Sequence, residues 1–143
     1  MATFVKFNSF VEALAESVHN LGSDTLKVAL TNTAPTAATD TGFLPGSAHP
    51  PPANANGYAS GGNAVTVSAS SQTAGTYKLV LEDTTFQASG GSIGPLRYVI
   101  LYNDTAASDQ VIGYFDYGSS LTIGDGETFT VTFDPSAGVL TIA

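Results

Sequence analysis

The chain has 143 residues, enough for one domain with a core of its own, and 12 acidic against 4 basic side chains give a net charge of −8. The cations Lys6, Lys27, Lys78 and Arg97 are scattered, so we expect neither nucleic acid nor an anionic membrane as a partner. The absence of Cys excludes disulfides and thiolate metal sites.

Charged residues make up only 11% of the chain, well below the roughly one quarter of typical soluble domains. This composition favours a protein whose surface is largely covered by partners, although a secreted β-protein can have a similar composition. The N-terminus lacks a cationic segment followed by an apolar core, and no apolar run reaches about 18 residues. We therefore expect a soluble protein made in the cytoplasm, with neither a signal peptide nor a membrane span.

The first predicted element is a helix within KFNSFVEALAESVHNLG, residues 6–22. Ser9 followed by Glu12 predicts a capping box at its start, and Gly22 predicts its end. Residues 1–7 are interpreted as a short N-terminal arm or an edge strand. The side chains that share the predicted apolar face are Phe10, Val11, Leu14, Ala15 and Val18.

After Gly22 the hydrophobic period changes to two, which predicts strands. RYVILYN, residues 97–103, is apolar on both faces and is expected to be a central strand covered on both sides. Gly113 and Gly118 predict bulges or bends in the long strand 110–123. The remaining predicted strands are TLKVALTN (25–32), AVTVSAS (64–70), TYKLVLED (76–83), TFTVTFD (128–134) and GVLTIA (138–143).

A long segment between the first two predicted strands has almost no apolar periodicity. Residues 34–63 are rich in Pro, Gly and Ala and include Pro50, Pro51 and Pro52, which favour polyproline II and cannot join a central sheet. The chain as a whole, 1–143, is therefore predicted to be one mainly β domain. Its predicted architecture is an antiparallel β-sandwich or barrel with one short N-terminal α-helix and one long loop.

The sequence offers no pattern typical of an enzyme. His19 lies near the predicted helix end, where a protonated imidazole interacts favourably with the macrodipole, and His49 lies in the segment least able to position a base. No G-x-S-x-G motif marks a nucleophile, and the glycine-rich residues 90–94 precede a strand, whereas a phosphate loop precedes a helix. We expect no catalytic residues and no cofactor.

Metal binding is not predicted either. Asp125 and Glu127 lie in GDGE and Asp116 in YFDYGS, but no window has EF-hand spacing, and a hairpin turn accounts for Asp125 and Gly126.

Five aromatic side chains cluster in two consecutive predicted strands. We interpret them as core and interface side chains, with a sugar-stacking platform as the alternative. They are Tyr98, Tyr102, Tyr114, Phe115 and Tyr117.

Residues 6–36 and 94–143 contain the phrases LTNTAP, YVILYNDT, IGYFDYGS and GVLTIA. In these phrases the chain resembles a family of small virion structural proteins of tailed bacteriophages. The resemblance covers more than half of the chain and implies a component of the phage particle without catalytic residues. It carries nothing over for the residues between.

Within that family we favour a capsid decoration (cement) protein on the surface of the virion. Such a protein would bind and stabilise the shell of major capsid protein, and would also bind itself as a homo-oligomer, with a trimer as one option. Residues 34–63 are interpreted as an interaction loop that becomes fixed on a partner, with 1–7 as a second arm. The residues expected at the contact are Phe4, Phe7, Phe43, Leu44, Pro50, Pro51, Pro52 and Tyr58.

Two further functions stay open on the sequence alone. One is a tail or baseplate component, which would share the β-fold but be present in few copies. The other is a carbohydrate-binding module on the virion surface that uses the aromatic side chains between Tyr98 and Tyr117.

Overall fold

The computed structural model describes residues 2–43 and 49–143, and it confirms a mainly β fold with one short N-terminal helix. Every strand pair in this part of the chain is antiparallel. The helix α1 spans Asn8–Ala15, and a single 3₁₀ turn spans Ala107–Asp109. The strands are β1 (Phe4–Lys6), β2 (Leu26–Thr31), β3 (Asn63–Val65), β4 (Val67–Thr73), β5 (Thr76–Leu81), β6 (Thr84–Gln87), β7 (Ile93–Asn103), β8 (Val111–Ile123), β9 (Thr128–Val131) and β10 (Leu140–Ile142).

These strands form three sheets. The largest has five strands in the order β1-β8-β7-β2-β3, the second has the order β10-β5-β4, and the third pairs β6 with β9. Strand β7 lies in the middle of the largest sheet between β8 and β2, as the apolar character of RYVILYN predicts. The N-terminal residues Phe4–Lys6 form an edge strand on β8, which is one of the two predicted alternatives.

The main core lies between one face of the large sheet and the two smaller sheets. The large sheet contributes Leu26, Val28 and Leu30 from β2, and their counterparts across the core include Leu79 and Leu81 of β5. Full burial of such a side chain is worth about 1.5–3 kcal/mol relative to exposure, so this layer supplies much of the stability.

The opposite face of the large sheet is also covered. Ala29 of β2, which points away from the main core, packs in a second cluster with Ile100 and Tyr102 of β7. Phe7 and Phe43 cover this cluster from outside the sheet, and both are completely buried. Most residues on both faces of β2 and β7 are therefore buried, which explains why these strands have few polar residues.

Both predicted ends of the helix are wrong. Ser9 lies inside α1, where its hydroxyl donates to the carbonyl of Asp40, and no side chain caps the N-terminus. The helix ends at Ala15 with Glu16 as its C-cap, because Ser17 takes a left-handed conformation with φ +67°. The N–H of Val18 then donates to the carbonyl of Ala13 and that of Ser17 to Leu14, which is a Schellman motif built without glycine.

The predicted strand AVTVSAS is two strands in two different sheets. Residues up to Val65 pair with β2, and residues from Val67 pair with β5. Thr66 lies between them, and its carbonyl accepts the N–H of Glu82. The strand thereby links the large sheet to the second sheet, a switch that alternating apolar residues do not reveal.

Strand β8 contains the two glycines predicted to lie at bulges. Gly118 has φ +99° within a stretch where β8 has more residues than its partner β7, which confirms an irregularity there. Gly113 also flanks an irregularity, since the adjacent residues Leu101 and Tyr102 pair with Gly113 and Val111. In addition, a Cβ at Gly113 would overlap the ring of Phe4. The absence of a side chain at Gly113 lets β1 pack its phenylalanine flat on β8.

Candidate interaction surface

An aromatic groove runs along the side of the sandwich where β8 and β9 approach each other. It consists of two adjoining clefts of about 180 and 200 Å³ that share Ala2, Phe115 and Thr132. We call this surface the aromatic groove. Its remaining lining residues are Phe4, Val99, Tyr117, Phe129, Thr130, Val131, Phe133, Asp134, Ala137, Gly138 and Val139.

Strand pairing explains why the groove is open. Strand β1 pairs with β8 only as far as Phe115, so the residues of β8 beyond it have no neighbour on that side within the described chain. Strand β9 pairs with β6 and leaves its other edge towards the groove. Two sheet edges with unpaired backbone groups thus border one apolar cleft, which is an arrangement that extended peptides bind.

Aromatic rings line the groove in contact with one another. The ring of Phe115 lies 5.3 Å from that of Phe4 and 6.1 Å from that of Phe133, and Tyr117 lies 5.8 Å from Phe129. Tyr117 is 55% exposed, the largest exposure among the big apolar side chains of the described residues. Large aromatic side chains with a polar tip are enriched at protein interfaces, so the groove has the chemistry of a protein-binding surface.

The aromatic cluster predicted from the sequence is divided between the two faces of the large sheet. Tyr98, Tyr102 and Tyr114 lie on the face that carries the second cluster, and Tyr98 and Tyr102 are buried there. Phe115 and Tyr117 lie on the other face and line the aromatic groove. The five rings therefore form no common stacking platform.

Most residues predicted to contact a partner have partners within the chain. Phe7, Phe43, Pro52 and Tyr58 are buried, Phe4 and Pro51 are partly buried and Pro50 is exposed, while Leu44 lies outside the described residues.

The expectation that Phe43 and Tyr58 become buried only on a partner is wrong. The ring of Phe43 lies 4.8 Å from that of Tyr102, and the hydroxyl of Tyr58 accepts the buried N–H of Leu30 on β2. Burial raises the pKa of Tyr58 to about 12, so the hydroxyl stays protonated. That these residues also contact another chain stays a prediction.

An ion-pair contact between a buried histidine and an aspartate joins two parts of the long segment. The Nε2 atom of His49 lies 2.8 Å from the carboxylate of Asp40, and the same oxygen accepts the N–H of Thr36. The hydroxyl of Thr31 donates to the carbonyl of Pro50. No sequence pattern predicts this pair, because the two residues are nine positions apart in a segment without periodicity.

A second cleft, of about 500 Å³, lies between the loop after α1 and the inner face of β4 and β5. His19 lines this cleft and is only 5% exposed. Its Nδ1 atom is hydrogen-bonded to the amide nitrogen of Asn103 at 3.1 Å. The oxygen of Asn103 accepts the N–H groups of Thr105 and Ala106, which fixes the amide nitrogen as the donor. His19 is therefore protonated on Nε2 when neutral, and that buried N–H has no acceptor among the described residues.

The acids in the turns act as local hydrogen-bond acceptors. Asp125 accepts the N–H of Gly90, and Glu127 accepts that of Gly124 at the turn between β8 and β9. Asp116 accepts two hydrogen bonds from Arg97, at 2.8 and 3.0 Å, which lowers the pKa of that carboxyl. Within residues 2–43 and 49–143 no three His, Asp or Glu side chains converge as a metal site would require.

The sequence did not identify the aromatic groove as a site. Phe129 and Phe133 lie at alternating positions, as core residues do. The cleft beside them is open because β1 pairs with β8 only as far as Phe115. No family model, curated protein or solved structure matches the chain. None of the helices in the described residues has the length and hydropathy that a membrane crossing requires.

Proposed function

We propose that this chain is a non-enzymatic structural protein of a tailed-phage virion, specifically a capsid decoration protein that binds the shell of major capsid protein. The observation that carries the proposal is the aromatic groove, an open apolar surface bordered by two unpaired sheet edges. Asp134 is the one charged side chain among the described residues that line the groove. A surface so poor in charge suits binding to a protein better than binding of a small ion.

The sequence phrases that resemble phage virion proteins support the same function. YVILYNDT contains six of the eleven residues of β7, IGYFDYGS is residues 112–119 of β8, and LTNTAP contains the end of β2. These three strands are neighbours in the large sheet. The resemblance thus falls on the framework of the fold and on the side of β8 that borders the groove.

The low surface charge also supports a structural role. A decoration protein keeps most of its surface close to other subunits, where a charged side chain has to be desolvated or paired. Exposed strand residues here are mainly Ser, Thr and Gln, as in β4. Burying such residues at a contact costs less desolvation free energy than burying Lys or Glu, because they carry no net charge.

The copy number of the chain in purified particles tests the function. Quantitative mass spectrometry against the major capsid protein is expected to give a ratio close to one per capsid subunit. A few copies per particle would replace the decoration role with a tail or baseplate role. Absence from the particle would overturn the structural function.

Binding to isolated shells tests the surface. Tyr117→Ser is expected to weaken the binding about tenfold or more, because a central aromatic side chain dominates such contacts. Val11→Ser is the matched control, since Val11 is 52% exposed on α1 and lies outside the groove. Equal affinity of both variants would assign shell binding to another surface of the chain.

A further inference from the structure

The edge strands of the three sheets differ greatly in length. Within the described residues the strands at the ends of the sheets are β1, β3, β4, β6, β9 and β10, and β8 is also open on one side beyond Phe115. Strand β4 has 7 residues, whereas each of the other end strands has 3 or 4. The open part of β8 is interrupted by Gly118, with φ +99°, and by an irregular register against β7. Long edge strands present a row of unpaired backbone groups, and proteins usually keep them short or interrupt them for that reason.

Strand β4 has little of the usual protection against pairing. Its sequence, VSASSQT, has no charge and no proline, and its last four residues are all exposed. The single interruption is a bulge between Val67 and Ala69, at the end that leads to β3. The remaining residues, from Ala69 to Thr73, form a regular and uncharged edge.

The hairpin to β5 determines which backbone groups face outwards. Ala74 and Gly75 form its two-residue turn, with φ of 51° and 83°, so Thr73 and Thr76 are a hydrogen-bonded pair. Because hydrogen-bonded pairs alternate along an antiparallel ladder, Ser70 and Gln72 point their N–H and C=O groups away from β5. No backbone hydrogen bond to these outward groups exists within the described residues.

We propose that β4 pairs antiparallel with β4 of a second copy of this chain, about a two-fold axis at or next to Ser71. The pairing would join the two three-stranded sheets into one continuous sheet across the dimer. An antiparallel edge is complementary to its own copy under two-fold symmetry, since each outward N–H meets an outward C=O.

Charge favours a second copy over other occupants. Two chains of net charge −8 repel each other, so a contact between copies requires an uncharged surface, and β4 provides one. A cationic partner would be attracted to exposed acids such as Glu12 on α1 and Glu16 at its C-terminal end, and β4 has no group that would attract it. The inference is independent of the proposed function, and it predicts a dimer where the sequence led us to consider a trimer.

Charge substitutions at Ser71 test the pairing. Ser71 is exposed and its side chain lies beside its copy at the proposed axis, so Ser71→Glu and Ser71→Lys each place like charges together. Each variant is expected to dimerise about tenfold or more weakly in sedimentation equilibrium. An equimolar mixture of the two variants is expected to recover the dimer, because opposite charges then meet.

Thr141 provides a matched control on the other edge of the same sheet. Both Ser71 and Thr141 are exposed and both lie opposite Lys78 of β5, so the substitutions have the same electrostatic effect within the monomer. Thr141→Glu and Thr141→Lys are expected to dimerise like the unmodified chain. Equal weakening at Ser71 and Thr141 would overturn the proposal.

Amide hydrogen exchange provides a direct measurement of the backbone pairing. The amides of Ser70 and Gln72 are expected to exchange slowly above the dissociation constant and quickly below it, while that of Thr141 stays independent of concentration. A chain that remains monomeric across the concentration series, with fast exchange at Ser70 and Gln72 throughout, would overturn the proposal. A dimer without protection at these amides would do the same.

Discussion

At the residue scale, a glycine decides where the N-terminal strand can pack. Gly113 leaves room on β8 for the ring of Phe4, which also contacts Phe115 in the aromatic groove. A residue that acts by lacking a side chain has no hydrophobic pattern, so the sequence indicated only a bulge or bend here.

Gly113→Ala is expected to destabilise the protein by about 1–3 kcal/mol, because the added methyl group displaces Phe4. Urea unfolding measures the change in the free energy of unfolding. In a Phe4→Ala background the same substitution should cost much less, since the clash is gone. Equal costs in both backgrounds would show that Gly113 matters for a reason other than Phe4.

His19 gives the stability a pH dependence. Burial lowers its pKa from the ordinary value, and the nearby carboxylate of Asp24 opposes that shift. In the unfolded chain the imidazole takes up a proton near pH 6.5, whereas in the folded chain it does so only at lower pH. The unfolded state therefore binds more protons in that window, and stability should fall as the pH drops below about 7.

His19→Asn tests this effect while retaining an acceptor for the amide of Asn103. The variant is expected to lose stability less steeply than the unmodified chain between about pH 7 and 5.5, as measured by urea unfolding at each pH. The carboxylates titrate in both proteins, so the difference between them isolates His19. Parallel curves would contradict the assigned shift.

At the element scale, hydrophobic periodicity predicted the strands well but not how they connect. Strands β2, β7 and β9 lie where alternation or a continuous apolar run placed them. The division at Thr66 was missed because residues on both sides keep the same alternation while changing sheets. Helix α1 ended early because Ser17 adopts a conformation usually assigned to glycine.

The long segment 34–63 shows a different limit of sequence reasoning. In its described residues, single side chains anchor it to the rest of the domain, Phe43 in the second cluster and Tyr58 in the main core. Phe43 fills the space over Tyr102, and the N–H of Phe43 donates to the carbonyl of Asp109. An irregular segment can be well packed when a few of its apolar side chains fit against strands distant in sequence. Sequence periodicity does not reveal where those strands present such a surface.

Phe43→Ala is expected to cost about 3–5 kcal/mol, as is usual for removing a fully buried phenylalanine. Limited proteolysis should then cut the chain sooner near residue 43, because the anchor of the segment is lost. Val11→Ala is the control, since Val11 is half exposed and its truncation should change stability by less than about 0.5 kcal/mol. Unchanged cleavage in Phe43→Ala would mean that other contacts hold the segment.

At the scale of the whole molecule, hydrophobic periodicity predicted the class of fold but not the position of the interaction surface. The mainly β architecture with one helix follows from periods and turns, and the structure confirms it. The aromatic groove and the open edge of β4 depend on which strands fail to find neighbours. Strand neighbours are distant in sequence, as β1 and β8 are, so no local pattern specifies which edges stay open.

The net charge of −8 leads to a last prediction, on salt. Repulsion among the acids destabilises the folded chain, and salt screens it over a Debye length of about 10 Å at 0.1 M. Two ion pairs involving lysine or arginine are present in the described residues, Lys27 with Asp104 and Arg97 with Asp116, and both are partly exposed. Exposed pairs contribute little, so screening of the repulsion should dominate.

Raising NaCl from about 0.02 to 0.3 M is therefore expected to raise the thermal midpoint by a few degrees in a calorimetric scan. Replacing the exposed Glu12 on α1 and Glu16 at its C-terminal end, four positions apart, by Gln removes two of the acids behind the net charge of −8. This variant should start with a higher midpoint and respond less to salt, because like charges at that spacing destabilise a helix. A midpoint that falls with salt would show that the two ion pairs outweigh the repulsion, and acidic charge would then no longer explain why an uncharged edge is needed for self-association.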